Sequence, residues 1–205
     1  MFQIKKTLLS VLATLAIFVS ANAQLLPAEA LDTMPIFKNL EEALKNKDAV
    51  FKLDLSKQKL SEIPPEVFEL KNINELYLDK NRLTVIPEQI SELKYLQKFS
   101  AQHNEIAEIP NGLLKLTDLY YIDLADNIIE TIPNDIDLLN KLETLSLWDN
   151  PIAQYPATLG DLTSLKVLDL LHNDISGETQ SNLKSMLPSC KIIMSPPCAC
   201  ADGGE

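Results

Sequence analysis

Apolar and variable positions follow one another along this chain in a line that keeps returning. It is clearest between Leu119 and Pro133, where Leu119, Ile122, Leu124, Asn127, Ile129 and the pair Ile132-Pro133 stand at fixed offsets with variable residues between them. The first apolar position recurs at Val50, Ile73, Leu96, Leu119, Leu142 and Leu165, one every 23 residues. Self-similarity at such a fixed period marks a stack of equivalent units, each too small to bury its own apolar face. Within a unit the first, fourth and sixth positions are apolar, as in Ile73, Leu76 and Leu78 or Leu96, Phe99 and Ala101, while the third and fifth vary. That alternation predicts a short strand with its apolar side inward and its third and fifth side chains outward. Equal spacing then predicts a parallel sheet of stacked strands, with neighbours ~4.8 Å apart.

The rest of each unit is as regular. The ninth position holds Asn81, Asn104, Asn127, Asn150 and Asn173, with Gln58 in the first unit. An amide both donates and accepts, so a column of asparagines at a chain turn is expected to tie each turn to the next. The return segment carries Ile63-Pro64, Ile86-Pro87, Ile109-Pro110, Ile132-Pro133 and Tyr155-Pro156, each followed by two spaced apolar residues. Proline fixes an extended or first-turn geometry and donates nothing to a ladder, so short helical or polyproline-like returns are predicted on the outer side. Before the units, residues 24–33 are expected to be irregular and flexible. Asp32 or Thr33 is predicted to cap a helix over 34–49, with Pro35 in its early turn and Phe37, Leu40, Ala43 and Leu44 on one apolar stripe. The sixth unit lacks the proline step; Glu178 to Leu187 reads as a closing helix stopped by Pro188, and Cys190, Ile192 and Met194 as a final short strand.

The line L-x-x-L-x-L-x-x-N-x-I-x-x-I-P resembles the leucine-rich repeat, and its proline steps resemble repeats of bacterial and Ras-associated scaffold proteins. The resemblance covers residues 50–187 as six units, the last atypical. It implies an α/β, right-handed leucine-rich repeat solenoid with a parallel concave sheet, an N-terminal capping helix and a C-terminal helix-strand cap. The ending from Leu187 to Cys200 is similar to that of secreted bacterial members of this class. For function the resemblance implies recognition of a partner and leaves its identity open, because one scaffold serves many partners.

Composition changes the picture at the two ends. Lys5 and Lys6, an apolar run from Leu8 to Val19 and Ala21-Asn22-Ala23 read as a signal peptide over 1–23, with a mature start at Gln24. The run is shorter than the ~20 residues a membrane span needs, so no stable membrane insertion is expected after cleavage. The protein is therefore expected to be exported, whether periplasmic, cell-surface or secreted. Of 18 basic and 29 acidic residues, the leader removes Lys5 and Lys6, leaving 16 against 29 and a net charge of −13. Such a surface repels phosphate backbones, so nucleic acid is excluded as the expected partner. All three cysteines, Cys190, Cys198 and Cys200, lie in the segment 188–205. Export permits a disulfide from Cys190 to either of the others, leaving one thiol free or available to a second chain.

Candidate chemistry is confined to the outward rows. Trp148 is the single tryptophan, and an aromatic exposed on a rigid sheet supplies a large share of interface energy, about 2 kcal/mol or more at a hot spot. A binding patch is expected at Tyr121, Trp148, Val167 and Leu171, rimmed by Asp123, Asp126, Asp149 and Asp169. Its partner would be a protein or a surface polymer. Tyr77, with Tyr121 and Trp148, offers a carbohydrate-binding alternative, and cysteine-linked assembly is another. Asp126 and Asp149 stand on adjacent units with His103 and His172 beside them, a like-charge pair rather than a metal site. No phosphate loop and no nucleophile-base pair stands out, so no enzyme, no cofactor and no bound metal are expected.

Overall fold

The computed structural model describes residues 25–196. The expected signal peptide, Cys198 and Cys200 lie outside the described residues. Among the described residues eight strands form one open sheet in sequence order: β1 (Ile36–Phe37), β2 (Lys52–Asp54), β3 (Glu75–Tyr77), β4 (Lys98–Ser100), β5 (Tyr121–Asp123), β6 (Thr144–Ser146), β7 (Val167–Leu170) and β8 (Lys191–Met194). Every pairing is parallel, and from β2 to β7 residues 23 apart face one another. Leu53, Leu76, Phe99, Ile122, Leu145 and Leu168 are thereby aligned in one interior row, none more than 1% exposed. The period thus becomes the core: each unit buries its row against its neighbours, because no unit has enough apolar surface to do so alone.

Returns run along the opposite side. Short 3-10 helices occupy Pro65–Glu69, Glu88–Glu92, Asn134–Leu138 and Ala157–Asp161, and a single α-turn, α3, occupies Asn111–Leu114. In each, the recurrent proline sits at the N-cap with extended ψ and its carbonyl accepts the first turn's hydrogen bond. Gly112 is the one return residue whose lack of a side chain is structurally required, since a Cβ there would lie 2.5 Å from the Glu88 carbonyl oxygen.

The asparagine column forms the expected ladder. Each Oδ1 accepts a backbone N–H from the preceding unit: Leu60 to Asn81, Leu83 to Asn104, Ile106 to Asn127, Ile129 to Asn150 and Ile152 to Asn173, at 2.9 to 3.1 Å. Each Nδ2 donates to the sixth-position carbonyl of the preceding unit. Gln58, at the ninth position of the first unit, instead donates from Nε2 to the Lys38 carbonyl at 3.1 Å.

Two N-terminal expectations are corrected. Instead of an irregular stretch over 24–33, a short helix α1 forms at Ala28–Asp32 and buries Leu31 completely. Asp32 and Thr33 end this helix rather than start one. The helix expected over 34–49 is divided: Ile36 and Phe37 pair with Lys52 and Leu53 as strand β1, and α2 occupies only Leu40–Lys45. Its N-cap is Asn39, whose Oδ1 accepts from the Glu42 N–H at 2.9 Å. The free edge of β2 is the physical reason, since pairing with β1 satisfies backbone groups that a helix over the same residues would leave unpaired. At the other end α4 (Gly177–Met186) is capped by Ser176, and Tyr155, where other units have isoleucine, donates its hydroxyl to the Thr179 carbonyl at 2.7 Å.

Candidate recognition surface

Strand register arranges the outward side chains in rows, so this surface is built from the positions that alternate with the core. Third positions run Lys52, Glu75, Lys98, Tyr121, Thr144, Val167 across six strands, and fifth positions run Asp54, Tyr77, Ser100, Asp123, Ser146, Asp169. The expectation that all of them face solvent fails at the N-terminal end and again at the centre, where Ser100 and Asp123 are buried. Glu75 is only 2% exposed and Lys52 only 7%. The segment before α1 is pinned beside them: the Leu26 N–H donates to Asn74 Oδ1 at 3.0 Å, and Gln97 Nε2 donates to the Leu26 carbonyl at 2.7 Å. Glu75 lies between two ammonium groups, with Lys52 Nζ and Lys98 Nζ each 3.5 Å from its carboxylate. Burial alone would pull the Lys98 ammonium down, but the Tyr120 hydroxyl and the Glu75 carboxylate hold it above its ordinary value.

At the centre of the sheet a cavity of about 290 Å³ opens between Tyr77 and Tyr121, lined also by Asp79, Lys98, Ser100, Gln102 and Asp123. The Tyr77 hydroxyl donates to Glu75 Oε2 at 2.8 Å, and the Tyr121 hydroxyl to Asp123 Oδ2 at 3.3 Å. Asp79 Oδ1 accepts from the Ser100 hydroxyl at 2.6 Å and from the Gln102 N–H at 3.2 Å, while Gln102 Nε2 lies 3.4 Å from Asp79 Oδ2. Asp123 Oδ1 accepts the Ala125 N–H at 3.1 Å, the same turn-capping bond that Asp54 makes to Ser56 and Asp169 to Leu171. Burial pushes the Asp123 carboxyl up and the Asp79 charge adds to it, against the pull of its hydrogen bonds. Burial also pushes the Tyr121 phenol up, to about 12, with the Asp123 and Asp79 carboxylates contributing.

A second cluster lies past the C-terminal end of β6. Trp148 is half-buried between two imidazoles, its ring centroid 6.5 Å from that of His103 in an edge-on arrangement and 5.8 Å from that of His172 in a tilted one. His103 Nδ1 is paired with Asp126 Oδ2. Ala125, the small and buried residue that precedes Trp148 in the seventh row, leaves space for the indole to reach across two units. The eighth-position residues Lys57, Lys80, His103, Asp126, Asp149 and His172 all adopt left-handed backbone, with φ between 51° and 62°. From Lys57 to Asp149 each is held there by an N–H donated to the seventh-position carbonyl of the next unit, at 2.7 to 2.9 Å.

The expected patch therefore falls into two places. Tyr121 and Asp123 join Tyr77 in the cavity; Trp148 and Asp126 join the imidazoles; Val167, Leu171 and Asp169 stay on the outward rows, half-buried, and Asp149 is exposed. Asp79, Ser100 and Gln102 complete the cavity, and only their row positions hinted at it in the sequence. Ser100 donates to a carboxylate, not to a histidine. Among the described residues no group of three or more His, Cys, Asp or Glu side chains is placed to hold a metal ion, and no helix is long and apolar enough to cross a membrane. Cys190 is half-buried against the core, where burial pushes its thiol up.

Comparison with known proteins agrees with this architecture. No curated protein sequence matches significantly. A leucine-rich repeat protein of Leptospira interrogans superposes with a TM-score of 0.63 at 29% identity, over 74% of this chain and 38% of its own. Internalin C2 of Listeria monocytogenes gives 0.59 at 26% identity, over 72% and 61%. A second internalin of that species gives 0.59 over 80% and 55%, and at 17% identity it speaks for the fold alone. The chain spans less than two thirds of the length of each of these proteins. The sequence model described as a leucine-rich repeat region matches residues 76–195, more than half of the chain, and with the stacked register this places the chain in the leucine-rich repeat family.

Proposed function

We propose that this protein is a non-enzymatic binding module that acts outside the cytoplasm and recognises a protein through the concave face of its sheet. The observation that carries the reading is the unbroken parallel register from β2 to β7, which holds outward side chains in fixed rows on a rigid support. A preorganised surface loses little conformational entropy on binding, so aromatic and charged side chains fixed on it contribute most of what they have to affinity. Tyr121, Trp148, Val167 and Leu171 are the proposed apolar contacts, with Asp123, Asp126, Asp149 and Asp169 around them. Likeness to a leucine-rich repeat protein of Leptospira and an internalin of Listeria supports a binding module, and the sequence of residues 1–23 supports export with cleavage before Gln24.

The test is capture of a partner from the envelope of the source cell by wild type, by Trp148→Ala, by Tyr121→Ala and by Leu138→Ala, an exposed residue of a return segment. Loss with the two sheet variants and retention with Leu138→Ala is expected, at unchanged melting temperature. Capture undiminished by both sheet variants would remove the concave face from consideration.

A further inference from the structure

We propose that the cavity between Tyr77 and Tyr121 receives an arginine side chain of the protein partner, its guanidinium seated against the Asp79 and Asp123 carboxylates. The proposal rests on the concave-face reading and names the chemistry of one contact within it.

The hydrogen-bonding capacity left in the cavity is weighted toward acceptors. Four donors in its lining are already engaged inward: the Tyr77 hydroxyl on Glu75, the Tyr121 hydroxyl on Asp123, and the Ser100 hydroxyl and Gln102 amide on Asp79. Lys98 faces Glu75, 3.5 Å away, and stands over the Tyr120 ring. Apart from the second N–H of the Gln102 amide and the ammonium N–H groups of Lys98, what the lining has left is acceptor: carboxylate lone pairs of Asp79 and Asp123 and the phenolic oxygens. A carboxylate has about four acceptor sites, so neither aspartate is saturated by the bonds it makes. The matching ligand donates and does not accept. Guanidinium is such a group, planar, permanently charged and carrying five donors.

Shape and charge favour the same group. Two tyrosine rings wall the cavity, and arginine stacks on aromatic faces. A volume of about 290 Å³ accommodates a side chain rather than a folded segment. In the fourth to sixth units the outward rows hold Asp123, Asp126, Asp149 and Asp169 and no lysine or arginine, Lys191 of β8 being the first basic residue to rejoin the third row, so the face beside the cavity complements a cationic partner. A sugar fits the lining less well, because its hydroxyls need donors as well as acceptors.

The experiment uses the mature chain and four small probes: arginine and lysine, each blocked at both ends, blocked citrulline as the neutral isostere, and cellobiose. Tyrosine ring signals are followed by NMR and assigned with Tyr77→Phe and Tyr121→Phe. Blocked arginine is expected to shift the Tyr77 and Tyr121 signals saturably while leaving the Trp148 indole unmoved, and to bind more tightly than blocked lysine. Citrulline and cellobiose are expected to shift neither. Asp79→Asn, which keeps an oxygen for Ser100 and Gln102, is expected to weaken arginine about tenfold without changing the melting temperature. Absence of a saturable arginine shift, an equal response to lysine, citrulline or cellobiose, or undiminished affinity in Asp79→Asn would each overturn the proposal. Because no partner is present, a negative result here is distinguishable from failure of the concave-face reading, which the Trp148→Ala capture experiment addresses separately.

Discussion

Asn127 reaches back one full unit to Ala101, its Nδ2 donating to the Ala101 carbonyl oxygen at 3.0 Å. The same amide donates to the Leu124 carbonyl of its own unit at 3.0 Å and accepts the Ile106 N–H at 3.0 Å, so one buried side chain ties two turns together.

Asn127→Ala leaves these backbone groups buried and without partners. An orphaned buried group costs about 1–3 kcal/mol, so a loss of roughly 3 kcal/mol or more is expected in urea denaturation. Asn81 and Asn173, half-exposed at the two ends of the ladder, let water replace the amide, and their alanine variants should lose only about 1 kcal/mol. Equal losses along the column would contradict a ladder whose strength comes from burial.

How much of this was legible beforehand follows from where the information lies. Leu76, Phe99 and Ile122 are placed by period alone, and so is the Asn104 to Asn150 ladder, because each unit repeats the same local geometry. The helix at Ala28–Asp32 is five residues long and carries no periodic signal; its position depends on Leu26 meeting Asn74 and Gln97, 48 and 71 residues away. Lateral reach is equally silent. The period sets Tyr77 and Tyr121 on named rows, but that they wall one cavity across β4 depends on the small Ser100 between them. Trp148 likewise crosses Ala125 because that side chain is small.

The left-handed column escaped the sequence for a different reason, since Lys57 and Lys80 are not residues that mark such a conformation. A Cβ in that region costs about 1–2 kcal/mol, offset here by the N–H that Lys80 donates to the Gln102 carbonyl at 2.8 Å. Lys80→Gly is therefore expected to raise stability, by up to about 1 kcal/mol after glycine's greater unfolded-state entropy is subtracted. Lys80→Val should lower it by about 1 kcal/mol or more, because a β-branched side chain crowds the same turn. Thermal denaturation of the pair is the check, and a glycine variant less stable than wild type would show that the conformation is not strained.

Tyrosine ionisation reports on the cavity. In the unfolded chain a phenol loses its proton near pH ~10. In the fold, burial and then the Asp123 and Asp79 carboxylates keep Tyr121 protonated to about 12, and burial and then Glu75 hold Tyr77 above its ordinary value. Both shifts are upward, so their contribution to stability is complete below the unfolded value and is lost as pH rises through the folded ones. Asp123 is shifted upward as well, mainly by burial, so its contribution is present at low pH and is lost as pH rises through its folded value. Phenolate absorbance should show Tyr121 ionising late in wild type and earlier in Asp123→Asn, with Tyr77 unmoved. An unchanged Tyr121 titration in that variant would mean that burial and Asp79, without Asp123, hold its proton.

Glu75 supports the covered end of the sheet. Its carboxylate lies 3.5 Å from both Lys52 and Lys98 and accepts the Tyr77 hydroxyl, and only Lys98 of the two lysines is appreciably exposed. Glu75→Gln preserves volume but leaves Lys52 charged, buried and without a counter-ion, and removing one partner of a buried pair costs about 3–5 kcal/mol. A loss near the lower figure is expected, since Lys98 retains water. Replacing Lys52 and Glu75 together by methionine should recover most of it, because two apolar side chains bring no desolvation penalty into the same space. Urea denaturation of the single and double variants decides the matter. If the double variant is no more stable than Glu75→Gln, the ion pair itself, rather than avoidance of a lone buried charge, is what holds this end of the sheet together.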